Sequence, residues 1–134
     1  MDEFDIIDML CNHVMAADTG MTVYKDSSII GETENHIVIY DGGYYENDWE
    51  NHLVAYIYIF IKSSAQSGMP NRSLMRETKR KVRAELLKIK PEKGKYQSIE
   101  LSVCKGIGNL KEGFHNKTIE LIINVEKNIE DYGY

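Results

Sequence analysis

Apolar residues recur along this chain with two different periods. From Asp2 to Ala17 they return every three or four positions: at about 100° per residue, Phe4, Ile7, Leu10, Cys11, Val14 and Met15 fall within an arc of about 140°. That spacing predicts an amphipathic helix. Asp2 and Glu3 occupy its first turn, where the helix dipole favours negative charge, and Asp18-Thr19-Gly20 stops it, with Gly20 as a left-handed cap. A second helix is predicted over Asn71 to Ile89, with Pro70 in its first turn. With Leu74 set at 0° and about 100° per residue, Met75, Thr78, Val82, Leu86 and Ile89 lie between 0° and 120°. Lys79, Arg72, Arg83, Arg76 and Arg80 occupy roughly 140° to 240° on the same scale. One side of this helix is built to dock on a sheet, and the other is a row of positive charge.

Between the helices the period falls to two. Met21 to Lys25 reads as a short opening strand. His36 to Tyr40 reads as a strand ended by Asp41-Gly42-Gly43, and Tyr44 to Asn51 as a polar-aromatic loop. Leu53 to Ile61 carries the strongest strand pattern, with Leu53, Ala55, Ile57, Ile59 and Ile61 on one face and Val54, Tyr56, Tyr58 and Phe60 on the other. Both faces are apolar, whereas a strand covered on one side alternates apolar with polar. Something is therefore expected to cover the aromatic face. Tyr96 to Lys105 and Thr118 to Lys127 read as closing strands around a glycine-dotted loop, Gly106 to Asn116.

The predicted fold is α+β: a mixed, mostly antiparallel sheet of four to five strands with two main helices packed on it. Strands close in sequence are expected to pair as antiparallel hairpins. No repeat or linker divides the chain, so residues 1–134 read as one domain with a frayed tail over 128–134.

Composition adds two features. Nine tyrosines stand against three phenylalanines and one tryptophan, and tyrosine suits half-exposed contact surfaces because it joins apolar area to a hydroxyl. The net charge of −5 hides a division: Lys62 to Lys95 holds eleven Lys and Arg against Glu77, Glu85 and Glu92, while the remainder holds five against eighteen acids. Such polarity steers association between unlike patches. The longest apolar run, Leu53 to Ile61, is far short of the ~18 residues of a membrane span. Met1-Asp2-Glu3 is acidic where a signal peptide would be basic. Cys11 and Cys104 are too few for a disulfide framework, which makes an intracellular, reducing compartment the default.

Reactive-group patterns are not found. His13, His36, His52 and His115 have no metal-binding spacing and read as surface or loop residues. Cys11 and Cys104 read as small core hydrophobes. The acids of Glu46 to Glu50 and Glu126 to Asp131 fall in a loop and at a chain end, where acids keep a surface wet. Gly106-Ile107-Gly108 lacks the third glycine and following helix of a phosphate loop. The expectation is no catalysis, no metal and no cofactor. For the basic helix face three readings stay open: a solvated face, a protein contact, or proximity to DNA.

The order of elements resembles the tail terminator, or tail completion, proteins of long-tailed phages, also described as minor tail U-like. The residues that carry it are the aromatic strand Leu53 to Ile61, Met69-Pro70 leading into the helix Leu74 to Leu87, and the closing run TIELIINVEK from Thr118 to Lys127. The resemblance spans about residues 2 to 127 and rests on architecture. It implies a homo-oligomeric ring, commonly a hexamer, that caps the tail tube and joins tail to head. The partners would be its own copies and the tube and neck proteins, with DNA passing through the lumen without specific binding and no membrane involved. The setting would be the virion, or the host cytoplasm during assembly. Tyr56, Tyr58, Phe60, Arg72, Arg76, Lys79, Arg80 and Arg83 are the candidate interface. The alternatives are another neck component, such as a head-closure or adaptor protein, or a small nucleic-acid-binding regulator using helix 71–89.

Overall fold

The aliphatic row Leu53, Ala55, Ile57, Ile59 and Ile61 lies at the centre of the protein, each residue 0% or 1% exposed. The computed structural model describes residues 2–28, 30–46, 51–63, 67–90, 96–105 and 113–125, with 96–105 described by its backbone. In chain order the elements are α1 (Glu3–Ala16), β1 (Thr22–Lys25), β2 (His36–Glu46), β3 (Asn51–Lys62), α2 (Arg72–Leu86), β4 (Tyr96–Lys105) and β5 (Phe114–Val125). The strands form one five-stranded mixed sheet in the order β1-β2-β3-β5-β4. The fold is α+β, with both helices on one face of the sheet.

β5 runs antiparallel to both β3 and β4. β3 and β4 are therefore parallel with β5 between them, and α2 is the crossover that parallel strands need. Hairpin pairing fails at β1, which runs parallel to β2 with Thr22 opposite His36 and Lys25 opposite Ile39. The connection permits this, since residues 26–35 can span about 30 Å when extended, enough to return to the start of β2. Lys25 at the end of β1 pairs with Asp8 of α1 at 2.9 Å.

On the helix side, Ile6, Leu10 and Val14 of α1 and Met75, Val82 and Leu86 of α2 join Ile37, Ile39, Ile119, Leu121, Ile123 and the β3 row in one buried cluster. Burying each such side chain contributes roughly 1.5–3 kcal/mol. The arc predicted for α1 is rotated in the structure. Ile6 is fully buried, whereas Phe4 and Met15 are 69% and 62% exposed. The true arc runs from Ile6 to Cys11, because the helix rolls toward β1 and β2 and leaves its far edge in solvent. Cys11 is buried there as a core residue.

The ends of the helices also differ from expectation. α1 begins with a reciprocal capping box in which Asp2 accepts from the Asp5 N–H at 2.9 Å and Asp5 accepts from the Asp2 N–H at 3.0 Å. The Asp5 N–H first, and the Phe4 N–H after it, hold the Asp2 carboxyl below its ordinary pKa. At the other end the left-handed residue just beyond the cap Ala17 is Asp18, φ +53°, and Gly20 lies in the following turn. Pro70 precedes the α2 cap instead of entering the first turn. Asn71 caps the helix, its Oδ1 accepting from the Leu74 N–H at 3.2 Å and so satisfying a donor for which proline has no side-chain acceptor.

The largest correction concerns Asp41-Gly42-Gly43. β2 does not end there but continues to Glu46, and β3 begins at Asn51, so Tyr44, Tyr45, Glu46 and Asn51 of the predicted loop are strand, while 47–50 lie outside the described residues. Asp41 pairs with Ala55 and Gly43 with Val54, leaving Gly42 as the extra residue of a β-bulge. Gly43 has φ +136°, a conformation that L side chains rarely adopt, and its N–H donates to Asp41 Oδ1 at 2.8 Å. The bulge reverses the alternation. Tyr44 thereby packs against the helix-side core, where its hydroxyl accepts from Asn51 Nδ2 at 3.1 Å. β5 likewise begins earlier than expected, at Phe114, because the whole length of β3 offers it a backbone partner. The tail 128–134, Lys127 and most of the 106–116 loop lie outside the described residues, as does the Gly106-Ile107-Gly108 stretch.

Candidate protein-interaction surface

Opposite the helices, strand alternation and register arrange a grid of side chains. His36, Phe60 and Asn116 form one row across β2, β3 and β5; Val38, Tyr58 and Thr118 form the next; Tyr40, Tyr56 and Glu120 form the third. Rings touch along and across it. Tyr56 stacks on Tyr58 with centroids 6.0 Å apart, Tyr58 meets Phe60 at 6.1 Å, and Tyr40 meets Tyr58 at 6.4 Å. At the far end His36 stacks on Phe60 at 4.9 Å and meets Phe114 edge-on at 5.2 Å. The expectation that the histidines are surface or loop residues fails for His36, which is fully buried. Its Nδ1 donates to the Glu34 carbonyl at 2.8 Å.

The described residues of the crossover 26–35 cover the histidine end of this face. Tyr24 donates its hydroxyl to the Glu32 carboxylate, Asn35 Oδ1 accepts from the Lys62 N–H at 2.7 Å, and Lys62 pairs with Glu34 at 3.0 Å. The carboxylate of Glu32 favours the protonated Tyr24 phenol and raises its pKa. Beyond the crossover, among the described residues, nothing covers the tyrosines. Tyr56 and Tyr58 are half-buried and Tyr40 is 45% exposed. A recess of about 460 Å³ opens between the crossover and the rings, lined by Asp26, Ser27, Ser28, Val38, Tyr40, Tyr58 and Phe60. Partial desolvation, then the neighbouring Tyr56 and Tyr40 phenols, raises the pKa of Tyr58. Among the residues whose side chains are described, the surface is neutral to acidic: Asp26, Glu32, Glu34 and Glu120 ring it against Lys62.

The basic residues lie on the other side of the sheet. α2 buries Met75, Thr78, Val82 and Leu86 in the helix-side core and turns Arg72, Arg76, Arg80 and Arg83 to solvent, with Lys79 half-exposed. Lys81 and Lys88 have internal partners in Glu77 and Glu85, at 3.4 Å and 2.7 Å. No such partner meets the four arginines among the described residues. A groove of about 840 Å³ between α2 and the start of β5 is lined by Arg72, Arg76, Lys79, His115 and Lys117. His115 Nε2 is held 3.0 Å from the Gly68 carbonyl.

The structure thus brings Tyr56, Tyr58 and Phe60 together, with Phe60 itself buried at 8% exposure. It brings Arg72, Arg76, Lys79, Arg80 and Arg83 together elsewhere, and the sheet separates the two groups. Sequence reasoning missed Tyr40, Glu120, His115 and Lys117 as members. The alternation of His36, Val38 and Tyr40 could have found Tyr40. Glu120 needed the β3–β5 register, and His115 needed the packing of α2. Stacked phenols and guanidinium groups bind by surface contact. Among the described residues no three His, Cys, Asp or Glu side chains converge on a point, and no helix is long and apolar enough to cross a membrane. No protein-family model matches the chain, and no curated protein matches it significantly.

Proposed function

We propose that this protein is a structural assembly subunit that binds further copies of itself, in the manner of the phage tail terminators it resembles in element order. On this reading it closes a ring at the end of a tail tube and joins tail to head, with no catalytic role. The observation that carries the reading is the tyrosine face of β2 and β3, which no described element covers. Aromatic area of that kind contributes when a partner removes it from water. The separation of an arginine row from an acid-flanked tyrosine face supports it further, since unlike patches on one molecule give the heterologous contacts that close rings. Another neck component would share this logic at a different position in the particle.

The test is size-exclusion chromatography with light scattering over a concentration series. A defined oligomer that grows in with concentration is the expected result. A monomer throughout, which instead shifts duplex DNA at low salt and releases it at high salt, would establish the second reading. That reading has an observation of its own, the groove where Arg72, Arg76, Lys79, His115 and Lys117 converge.

A further inference from the structure

Resting on the assembly reading, the geometry points to a specific head-to-tail contact: the arginine row of α2 in one copy lies along β3 on the tyrosine face of the next. We infer this from three observations. The first is spacing. Arg72, Arg76 and Arg80 follow one another at four-residue steps, which in a helix rising 1.5 Å per residue separates them by about 6 Å. Along β3 the rings of Tyr56, Tyr58 and Phe60 repeat at 6.0 and 6.1 Å. A helix laid parallel to the strand therefore brings Arg76 and Arg80 over Tyr56 and Tyr58 in register, and guanidinium planes stack well on aromatic faces.

The second is charge. The arginines lack ion-pair partners among the described residues, whereas the tyrosine face offers Glu120 directly beside Tyr56 and Asp26 at the edge of the 460 Å³ recess. The third is position. α2 and the tyrosine face lie on opposite sides of the sheet, so neither can satisfy the other within one chain. A single contact repeated from copy to copy satisfies both. Tyrosine and arginine are also the residues that concentrate binding energy at interfaces.

The contact has a signature that a two-fold contact lacks. Two variants each lose one patch: Arg76→Glu with Arg80→Glu and Arg83→Glu, and Tyr40→Lys with Glu120→Lys. Sedimentation velocity is run on each alone and on the equimolar mixture, at about ten times the concentration where the wild type assembles. Each variant alone is expected to stay monomeric. The mixture is expected to form a 1:1 dimer and nothing larger, because one intact helix meets one intact face and the outer patches are dead. Circular dichroism checks folding. Should the lysine pair misfold, Tyr40→Ser, at a position 45% exposed, is expected to raise the assembly midpoint roughly tenfold, the scale of one lost interface aromatic.

A mixture that stays monomeric while the wild type assembles overturns this contact and leaves the assembly reading standing. So does an arginine variant that assembles normally, and if that variant has also lost DNA binding, α2 is a nucleic-acid surface. A wild type that remains monomeric at every concentration overturns both.

Discussion

Replacing Gly42 with alanine tests the bulge that organises the tyrosine face. A Cβ at that position would lie 2.9 Å from Tyr56 Cδ2, closer still to the adjacent ring carbon, and 2.9 Å from the Val54 carbonyl oxygen. The ring can swing away by giving up its stacking on Tyr58. The carbonyl belongs to the central strand and cannot move alone. Overpacking of this kind costs about 1–3 kcal/mol, and the entropy that alanine removes from the unfolded chain returns roughly 0.4–1 kcal/mol. The net expectation is a loss of about 1–2 kcal/mol, or a melting temperature lower by on the order of 5 °C for a domain of this size. Thermal melts and urea titrations of Gly42→Ala measure it directly. The same substitution in a Tyr56→Ser background should cost roughly half as much, because the ring contact is gone and the carbonyl contact remains. A Gly42→Ala protein as stable as the wild type would show that Asp41-Gly42-Gly43 is an open turn and that the Tyr56 ring does not lie across it.

Other expectations are simpler. Ile6→Ala should cost about 2–5 kcal/mol, whereas Phe4→Ser should change stability by less than about 0.5 kcal/mol, and reversed magnitudes in urea titration would return the α1 arc to its sequence-predicted position. The triple reversal of Arg76, Arg80 and Arg83 should leave the melting temperature nearly unchanged, since exposed charges contribute little to folding; a large drop would mean these side chains are buried. Tyr56→Ser and Tyr58→Ser should impair assembly more than folding, read by light scattering against thermal melts, with full assembly of the double variant as the contrary result. The raised pKa of Tyr58 has a defined sign. Its protonated phenol is favoured in the folded state, so its contribution is fully present below the ordinary phenol value of about 10 and fades as pH rises through the folded value. Ultraviolet titration should show that the tyrosinate lost in Tyr58→Phe is, like that of Tyr24, one forming above the ordinary phenol value, and a loss of amplitude at or below that value would refute it.

Much of this protein is legible without coordinates. Periodicity alone located both helices and the central strand, because burying one face of a helix or strand forces apolar residues to return at 3.6 or 2.0 positions. The same period sorted Tyr56, Tyr58 and Phe60 from the aliphatic row and put the arginines of α2 opposite its apolar stripe. A local pattern could not say which side of a strand the helices would take. Only packing decided that both sit over the aliphatic row and leave the tyrosines uncovered. Asp41-Gly42-Gly43 is a turn signal by composition, yet Asn51 to Val54 of β3 offered backbone partners beyond it. Hydrogen bonds across the sheet then made it a bulge and sent Tyr44 to the core. The parallel β1, the buried His36 and the position of Glu120 beside Tyr56 have the same cause. Each is set by neighbours far away in the chain, and one-dimensional order carries the propensity of a segment but not the identity of what it meets.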